Sequence, residues 1–338
     1  MLTPTDYYNI SADISFHVFF ITLFTNLVLI YMTIYKIKRI VGAYKTCIII
    51  ASFLGICFQL SDISCHPFFH SYNQSFIYFT LSTWTSKYIS ELLLLVYCVC
   101  YSSVISFMAV QFLYRYWIMT GSRSVKYFDG WKILYSQAYI FLIGTIYSSS
   151  IYILGPFDDE SRRYLRAEVM RNYNLTVESI AGFVVVAVED HEESTLRERG
   201  EACMSTLIIL ISIQYMIMIY AGTQMHLKLK TQISTISTSD RSLQKQLFKA
   251  LVIQVLSPSL LCCVPIIPIL VGPYIFTKIS FPTGIFVSPF TIFPSLDSVI
   301  LMTVVTEYRE CFRKMLSKNS DSTYEISGRT TKTAISRI

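Results

Sequence analysis

Apolar positions along this chain run together in long blocks rather than alternating at the period of a strand or a surface helix. Uncharged runs cover 14–35, 46–61, 92–114, 133–157, 202–227, 250–277, and 279–296 continuing past Asp297 to 306. A membrane-spanning helix takes about 20 mostly apolar residues. The pattern therefore predicts an all-α membrane protein, a seven-transmembrane helix bundle with spans at about 14–35, 46–66, 89–114, 132–155, 203–226, 247–271 and 282–306. The uncharged stretch 63–86 reads differently. His66, Pro67, His70, Tyr72, Asn73 and Gln74 make it the end of the second span followed by a polar loop. Between the fourth and fifth spans lies a long segment, 155–202, in which Leu165, Val169 and Tyr173 recur at helical spacing. There Phe183 to Val188 reads as a short buried or β-like run. A loop of that length with its own structure is commonly functional, and a lid is the expected role.

Composition agrees. Of 338 residues, 53% are hydrophobic and 15% charged, against about 25% charged in an ordinary soluble domain. The charges are also unevenly placed: 17 of 50 fall in 155–202 and 11 in 307–338. This excludes a water-soluble globular domain and the basic stripe of a nucleic-acid binder. Nine Cys without C-x-x-C spacing give no support to a metal or redox centre, and no cofactor is expected.

Basic residues orient the bundle. Twenty Lys and Arg lie in the segments expected on one side, whereas the short segments on the other side carry only Lys87 and Lys278. By the positive-inside rule the N-terminus is outside and the C-terminus cytoplasmic. The sequons at Asn9, Asn73 and Asn174 all fall on the outer side of that topology, as glycosylation requires. No basic residue precedes the first span, so it lacks the charged start of a cleaved signal and is expected to be retained. Seven helices with this orientation are the topology of a G-protein-coupled receptor.

Several local patterns, in order, resemble the nematode seven-transmembrane chemoreceptors of serpentine receptor class r, the Str superfamily. They are Gly42-Ala43-Tyr44-Lys45, then Pro67, His70 and Tyr72, Tyr114-Arg115-Tyr116, Tyr164-Leu165-Arg166, the run Leu243 to Leu251 leading through Gln254 to Pro258, and Phe293-Pro294-Ser295-Leu296-Asp297 followed by Tyr308-Arg309. The resemblance covers nearly the whole chain. It implies a chemosensory receptor without catalytic activity, in the plasma membrane and in particular the ciliary membrane of a sensory neuron. Such a receptor binds a small environmental chemical and activates a heterotrimeric G protein. By the same resemblance Tyr114, Arg115 and Tyr116 occupy the place of the Asp-Arg-Tyr motif of rhodopsin-like receptors. One departure stands out: the family pattern has a proline after the seventh-span aspartate, where this chain has Ser298.

Candidate site residues follow from depth in the membrane. Asp297 lies 11 residues before Tyr308, ~17 Å from the inner end of its helix. A carboxylate there must face the bundle interior. Asn26, at similar depth in the first span, is the expected partner of Asp297, and both join Tyr114, Arg115, Tyr116, Tyr308 and Arg309 as activation and coupling candidates. Asp62 and Glu91 fall near the outer mouth. There they either line a ligand pocket with His66 and His70 or are solvated helix ends. Tyr97, Tyr101, Gln214 and Tyr215 are candidates for a deeper, aromatic pocket. A Cys65–Cys203 bridge is a further possibility. After the seventh span a short amphipathic helix is expected, with Cys311 as a palmitoylation candidate. Residues 318–338 read as a disordered cytoplasmic tail whose flanking Ser317, with Ser320, Ser322 and Thr323, offers sites to a kinase and arrestin. Two other readings compete. An ion channel of the insect odorant-receptor kind would have its N-terminus inside, and a transporter would show duplicated halves.

Overall fold

A computed structural model describes residues 2–38, 42–73, 75–186, 195–231, 238–260 and 280–315. Its long helices are α1 (Pro4–Tyr31), α2 (Ala43–Cys65), α3 (Lys87–Thr120), α4 (Ile133–Leu154), α6 (Thr195–Thr231), α7 (Thr238–Pro258) and α9 (Phe293–Val304). The first helix starts ten residues earlier than the apolar run alone predicts. Thr3 and Asp6 form a reciprocal capping box around Pro4, which satisfies the free amides of the first turn. Among the described residues six helical segments are long and apolar enough to cross a membrane, the last being Gly284–Val304. The expected sixth span, 247–271, begins in α7, and its part beyond residue 260 lies outside the described residues, as does the tail 318–338.

Helix faces are sorted for lipid rather than for water. On α1 the buried positions include Ser11, Ser15, Thr22 and Asn26, while Phe16, Phe20, Ile21, Phe24 and Leu27 point outward. α4 repeats the scheme, with Gly144 and Ser148 inward and Phe141, Leu142 and Ile153 outward. Lipid tails solvate Phe and Leu as well as a protein core does, so small and polar residues go to the helix seams. A Cβ on Gly144 would stand 3.0 Å from both Ser103 Oγ and Val99 O, which is why α3 and α4 can approach so closely. α3 sits at the centre, packed by α2, α4 and α6.

The outer side carries structure where the sequence reads as a loop. β1 (Phe68–Tyr72) and β2 (Ser75–Thr80) form an antiparallel hairpin, extended by β3 (Ala181–Val186) on β2 and by β4 (Ser280–Phe281) on β1. The order is β3-β2-β1-β4. Each edge of the hairpin thus receives a strand from another outer segment. Every residue of β2 is buried, because both faces of the sheet are covered: one by the helix bundle, the other by α5 (Asp159–Tyr173) through Leu165, Val169 and Tyr173. The helical spacing read in 155–202 corresponds to α5, and the β-like run to β3.

Beyond the short helix α8 (Gly284–Val287), α9 ends at Val304, and residues 306–315 form a further helix, α10, at the inner end. Thr306 N donates to Gln246 Oε1 at 2.9 Å, tying the start of α10 to α7.

The sheet admits no side chain at Gly182, where a Cβ would meet Tyr78 O at 2.5 Å and Phe79 Cα at 2.8 Å. Gly182→Val is expected to force β2 and β3 apart and destabilise the outer layer by about 1–3 kcal/mol. A lowered melting temperature of the detergent-solubilised protein and reduced surface expression would register it; unchanged values would contradict this packing.

Candidate functional site

Side chains alternate across the sheet. Phe69, Phe76, Tyr78, Phe183 and Val185 point down into the bundle and roof a cavity of about 270 Å³. Its walls are Tyr97, Cys98 and Tyr101 from α3, Tyr147 and Ile151 from α4, and Met204, Leu207, Ile208, Ile211 and Ser212 from α6, with Val287 alongside. No Asp, Glu, Lys, Arg or His lines it among the described residues. An aromatic chamber whose polar groups are tyrosine hydroxyls, one serine and one thiol suits a small uncharged ligand. The roof is pinned to the wall: Tyr78 OH donates to Leu94 O at 3.0 Å, and Phe69 stacks on Tyr78 with centroids 4.9 Å apart. Below the cavity aromatic rings continue inward, Tyr101 to Phe290 at 5.1 Å and Phe290 to Phe293 at 5.7 Å.

Phe293 leads to the seam between α1, α2 and α9. Asn26 Nδ2 donates to Pro294 O at 3.3 Å and to Thr22 O at 2.9 Å, and its Oδ1 accepts from Ser298 Oγ at 2.7 Å. The expected Asn26 to Asp297 bond is therefore replaced by one to the next residue. A helix turns about 100° per residue, so Ser298 faces α1 while Asp297 faces α2, α3 and α7. Asp297 borders a small void with Gln111 and Gly55, and its backbone carbonyl accepts from Gln254 Nε2 at 3.3 Å. At the inner end Tyr308 OH and Thr33 Oγ1 are 2.8 Å apart. Arg115 and Tyr114 are both buried, at 3% and 4% exposure, and the Arg115 guanidinium lies over the Tyr44 ring, 3.4 Å from its centroid. Tyr116 is half-buried against Tyr220, and Arg309 is exposed on α10.

A family model described as serpentine type 7TM GPCR chemoreceptor Str matches residues 11–313. The chain belongs to the Str family of G-protein-coupled chemoreceptors. It is 37% identical to G-protein coupled receptor str-33 of Caenorhabditis elegans over 325 residues, 94% of each chain. Similarity extends to serpentine receptor class r-10 of Caenorhabditis elegans, at 22% identity and 88% of each chain. In fold the chain is similar to squid rhodopsin, with a TM-score of 0.58 and 13% identity, covering 94% of this chain and 87% of that one. It is thus a multi-pass membrane receptor whose general partners are a chemical ligand and a G protein.

The receptor's predicted ligand residues are dispersed by the structure. Tyr97 and Tyr101 line the cavity. Gln214 instead accepts from Tyr139 OH at 2.9 Å, linking α4 to α6, and Tyr215 OH pairs with Ser259 Oγ at 3.1 Å. Asp62 is not a solvated helix end; it is 2% exposed, beside Gln59 on the α1 side of α2. Glu91 and His66 are half-buried, and neither borders the cavity. Cys65 and Cys203 are both free thiols. Asn9 and Asn174 are exposed at the outer end, while Asn73 caps the hairpin turn with φ +48°. Cys311 is half-buried on α10. Residues that charge and depth did not single out, such as Phe69, Phe76 and Phe183, form the roof.

His70 lies on the opposite face of the sheet, fully buried in a polar cluster under α5. Its Nε2 is 3.0 Å from Glu168 Oε1, and Tyr173 OH is 2.9 Å from its Nδ1. With the proton on Nε2, the ring donates to Glu168 and accepts from Tyr173. Glu168 Oε1 also accepts from Asn172 Nδ2 at 2.5 Å and from Ser280 Oγ. Burial works to raise the Glu168 pKa, but the hydrogen bonds from His70, Ser280 and Asn172 outweigh it and hold the carboxyl below its ordinary value. Burial and the neighbouring Glu168 charge push the Tyr173 hydroxyl up. This cluster joins β1, β4 and α5, so it fastens the roof rather than contacting a cavity ligand.

Because the folded Glu168 pKa is depressed, its stabilisation is complete above the usual carboxylate range and is lost as pH falls through the lowered folded value. Acidification below about pH 4 is expected to lower the melting temperature of the solubilised receptor. Glu168→Gln should cost about 1.5–3 kcal/mol at neutral pH and flatten that acid limb. An acid limb of the same depth in Glu168→Gln would assign it to other carboxylates.

Proposed function

We propose that this receptor detects a small, uncharged, largely apolar chemical held in the cavity beneath the outer sheet, and that Arg115 carries the signal to the G protein. The observation that supports the reading most is the roofed aromatic chamber with no ionised group in its wall, in a chain of a chemoreceptor family. Burial of apolar surface yields about 25 cal/mol per Å², so a compact neutral molecule binds there chiefly by contact. A charged one would leave its solvation without compensation. Ligand contact with Tyr101 shifts Phe290 and Phe293, and with them Pro294 and the α1–α2–α9 seam. The result is a change in the population of a state whose inner end is open.

In this reading the protein signals by binding alone and catalyses no reaction. By family resemblance its site of action is the ciliary membrane of a sensory neuron, and the Ser and Thr residues of the tail serve a kinase and arrestin. Asn9 and Asn174 are exposed at the same end of the bundle, so glycosylation of either would favour the receptor orientation over the inverted, channel-type one.

A screen of small neutral and charged odorants in cells, with a calcium or cAMP readout, tests both halves. Ser212→Trp, which fills the cavity from α6, is expected to raise the half-maximal ligand concentration at least about tenfold with surface expression intact. Arg115→Ala is expected to abolish the response. A full response in Ser212→Trp would move the ligand elsewhere, and activation only by charged compounds would contradict the assignment of ligand class.

A further inference from the structure

A guanidinium is a cation with five N–H donors, and that of Arg115 is 3% exposed at the inner end of the central helix. A buried charge needs a partner. In a rhodopsin-like motif the preceding residue would be acidic; here it is Tyr114. One neighbour of the guanidinium is the ring of Tyr44, whose centroid is 3.4 Å away and which is itself 8% exposed. An aromatic face attracts a cation through its quadrupole, and more strongly when water is excluded.

Tyr44 is firmly placed. It stands in the first turn of α2, just after Gly42, whose φ of +68° suits a residue without a side chain. The neighbouring Lys45 Nζ donates to Ile34 O at 3.1 Å, fastening this turn to the inner end of α1. Cys47, Tyr114 and Tyr308 belong to the same buried cluster as Tyr44. The ring therefore does not swing aside alone; freeing the guanidinium takes movement of the start of α2 against α3. Such movement has a source in the seam above. A Cβ on Gly55 of α2 would stand 3.0 Å from Pro294 Cβ, so α2 bears directly on α9.

We propose that Tyr44 is a positioning residue for Arg115 in the resting receptor, an aromatic latch that covers the guanidinium until α2 and α3 part. This rests on the reading of Arg115 as the coupling residue. The contact joins a charge to a neutral ring, so its release is the loss of a ring face.

The test is ligand-free G-protein signalling normalised to surface expression. Tyr44→Met keeps the volume and removes the ring; it is expected to raise basal signalling on the order of tenfold. Tyr44→Phe keeps the ring and should restore most of the restraint, well below Tyr44→Met. The double variant Tyr44→Met with Arg115→Ala should lose the gain. Basal signalling of Tyr44→Met at the wild-type level, or of Tyr44→Phe as high as Tyr44→Met, would overturn the latch. Should Tyr44→Met fail to reach the surface, Tyr44→Trp, with a stronger ring face, is expected to lower basal signalling, and a rise would overturn the latch. The two ideas fail separately. Arg115→Ala with a normal ligand response defeats the coupling reading, whereas a silent Arg115→Ala beside a wild-type Tyr44→Met defeats only the latch.

Discussion

The bilayer offers no hydrogen-bond partner, and every helix seam in this receptor is arranged around that fact. Asn26 is the clearest case. At 1% exposure, five residues before the inner end of α1, its amide must find partners within the protein, and it finds Thr22 O, Pro294 O and Ser298 Oγ. Those bonds require α9 to come close to α1, while α2 meets the same stretch of α9 through Gly55, where any added Cβ would press on Pro294. One amide and one missing side chain thus fix three helices at the depth where the aromatic floor of the cavity ends.

Above that seam the bundle is closed by a layer built on a different principle. The outer sheet has an apolar face toward the cavity and a face with a polar centre toward α5, and His70 and Glu168 belong to the second. Their hydrogen bonds unite strands from two separate outer segments, β1 and β4, with α5. The cavity below is left without an ionised group in its described wall. Charge is used to assemble the roof, away from the aromatic cavity, so roof strength and the chemistry of the cavity wall are set by different residues.

How far the sequence led can be judged from particular residues. Long uncharged runs marked the spans because lipid-facing and core-facing positions are both apolar, and Lys and Arg at their inner ends gave the orientation. The hairpin was missed for the same reason: β2 is buried on both faces, so Ser75–Thr80 shows no alternation, and Asn73 read as a loop signal instead of the end of a strand pair. Asp62 was placed near the mouth by helical rise alone, which knows nothing of the extra layer above it. Asp297 drew attention because it is charged, but the seam uses the hydroxyl of Ser298, which no charge count ranks. Of the ligand candidates, Tyr97 and Tyr101 lie on the face of α3 that the cavity uses. The roof aromatics come from segments whose pairing is non-local and leaves no short motif. Tyr44 and Arg115 are likewise 71 residues apart, and nothing in either local pattern pairs them.

The strength of the restraint on Arg115 must match what a small ligand can supply. A neutral molecule in the cavity acts on the equilibrium only by its differential affinity for the two states, and a shift of a hundredfold already takes about 2.8 kcal/mol. Breaking a fully buried ion pair commonly costs about 3–5 kcal/mol, because it strands a charge. A desolvated cation–π contact is worth roughly 2 kcal/mol, and in the proposed release Arg115 would move toward the aqueous inner face, where its charge is solvated again. The proposed latch of ring and guanidinium would therefore hold the resting state firmly enough to be quiet, yet within reach of the proposed ligand, whose binding would come from apolar contact.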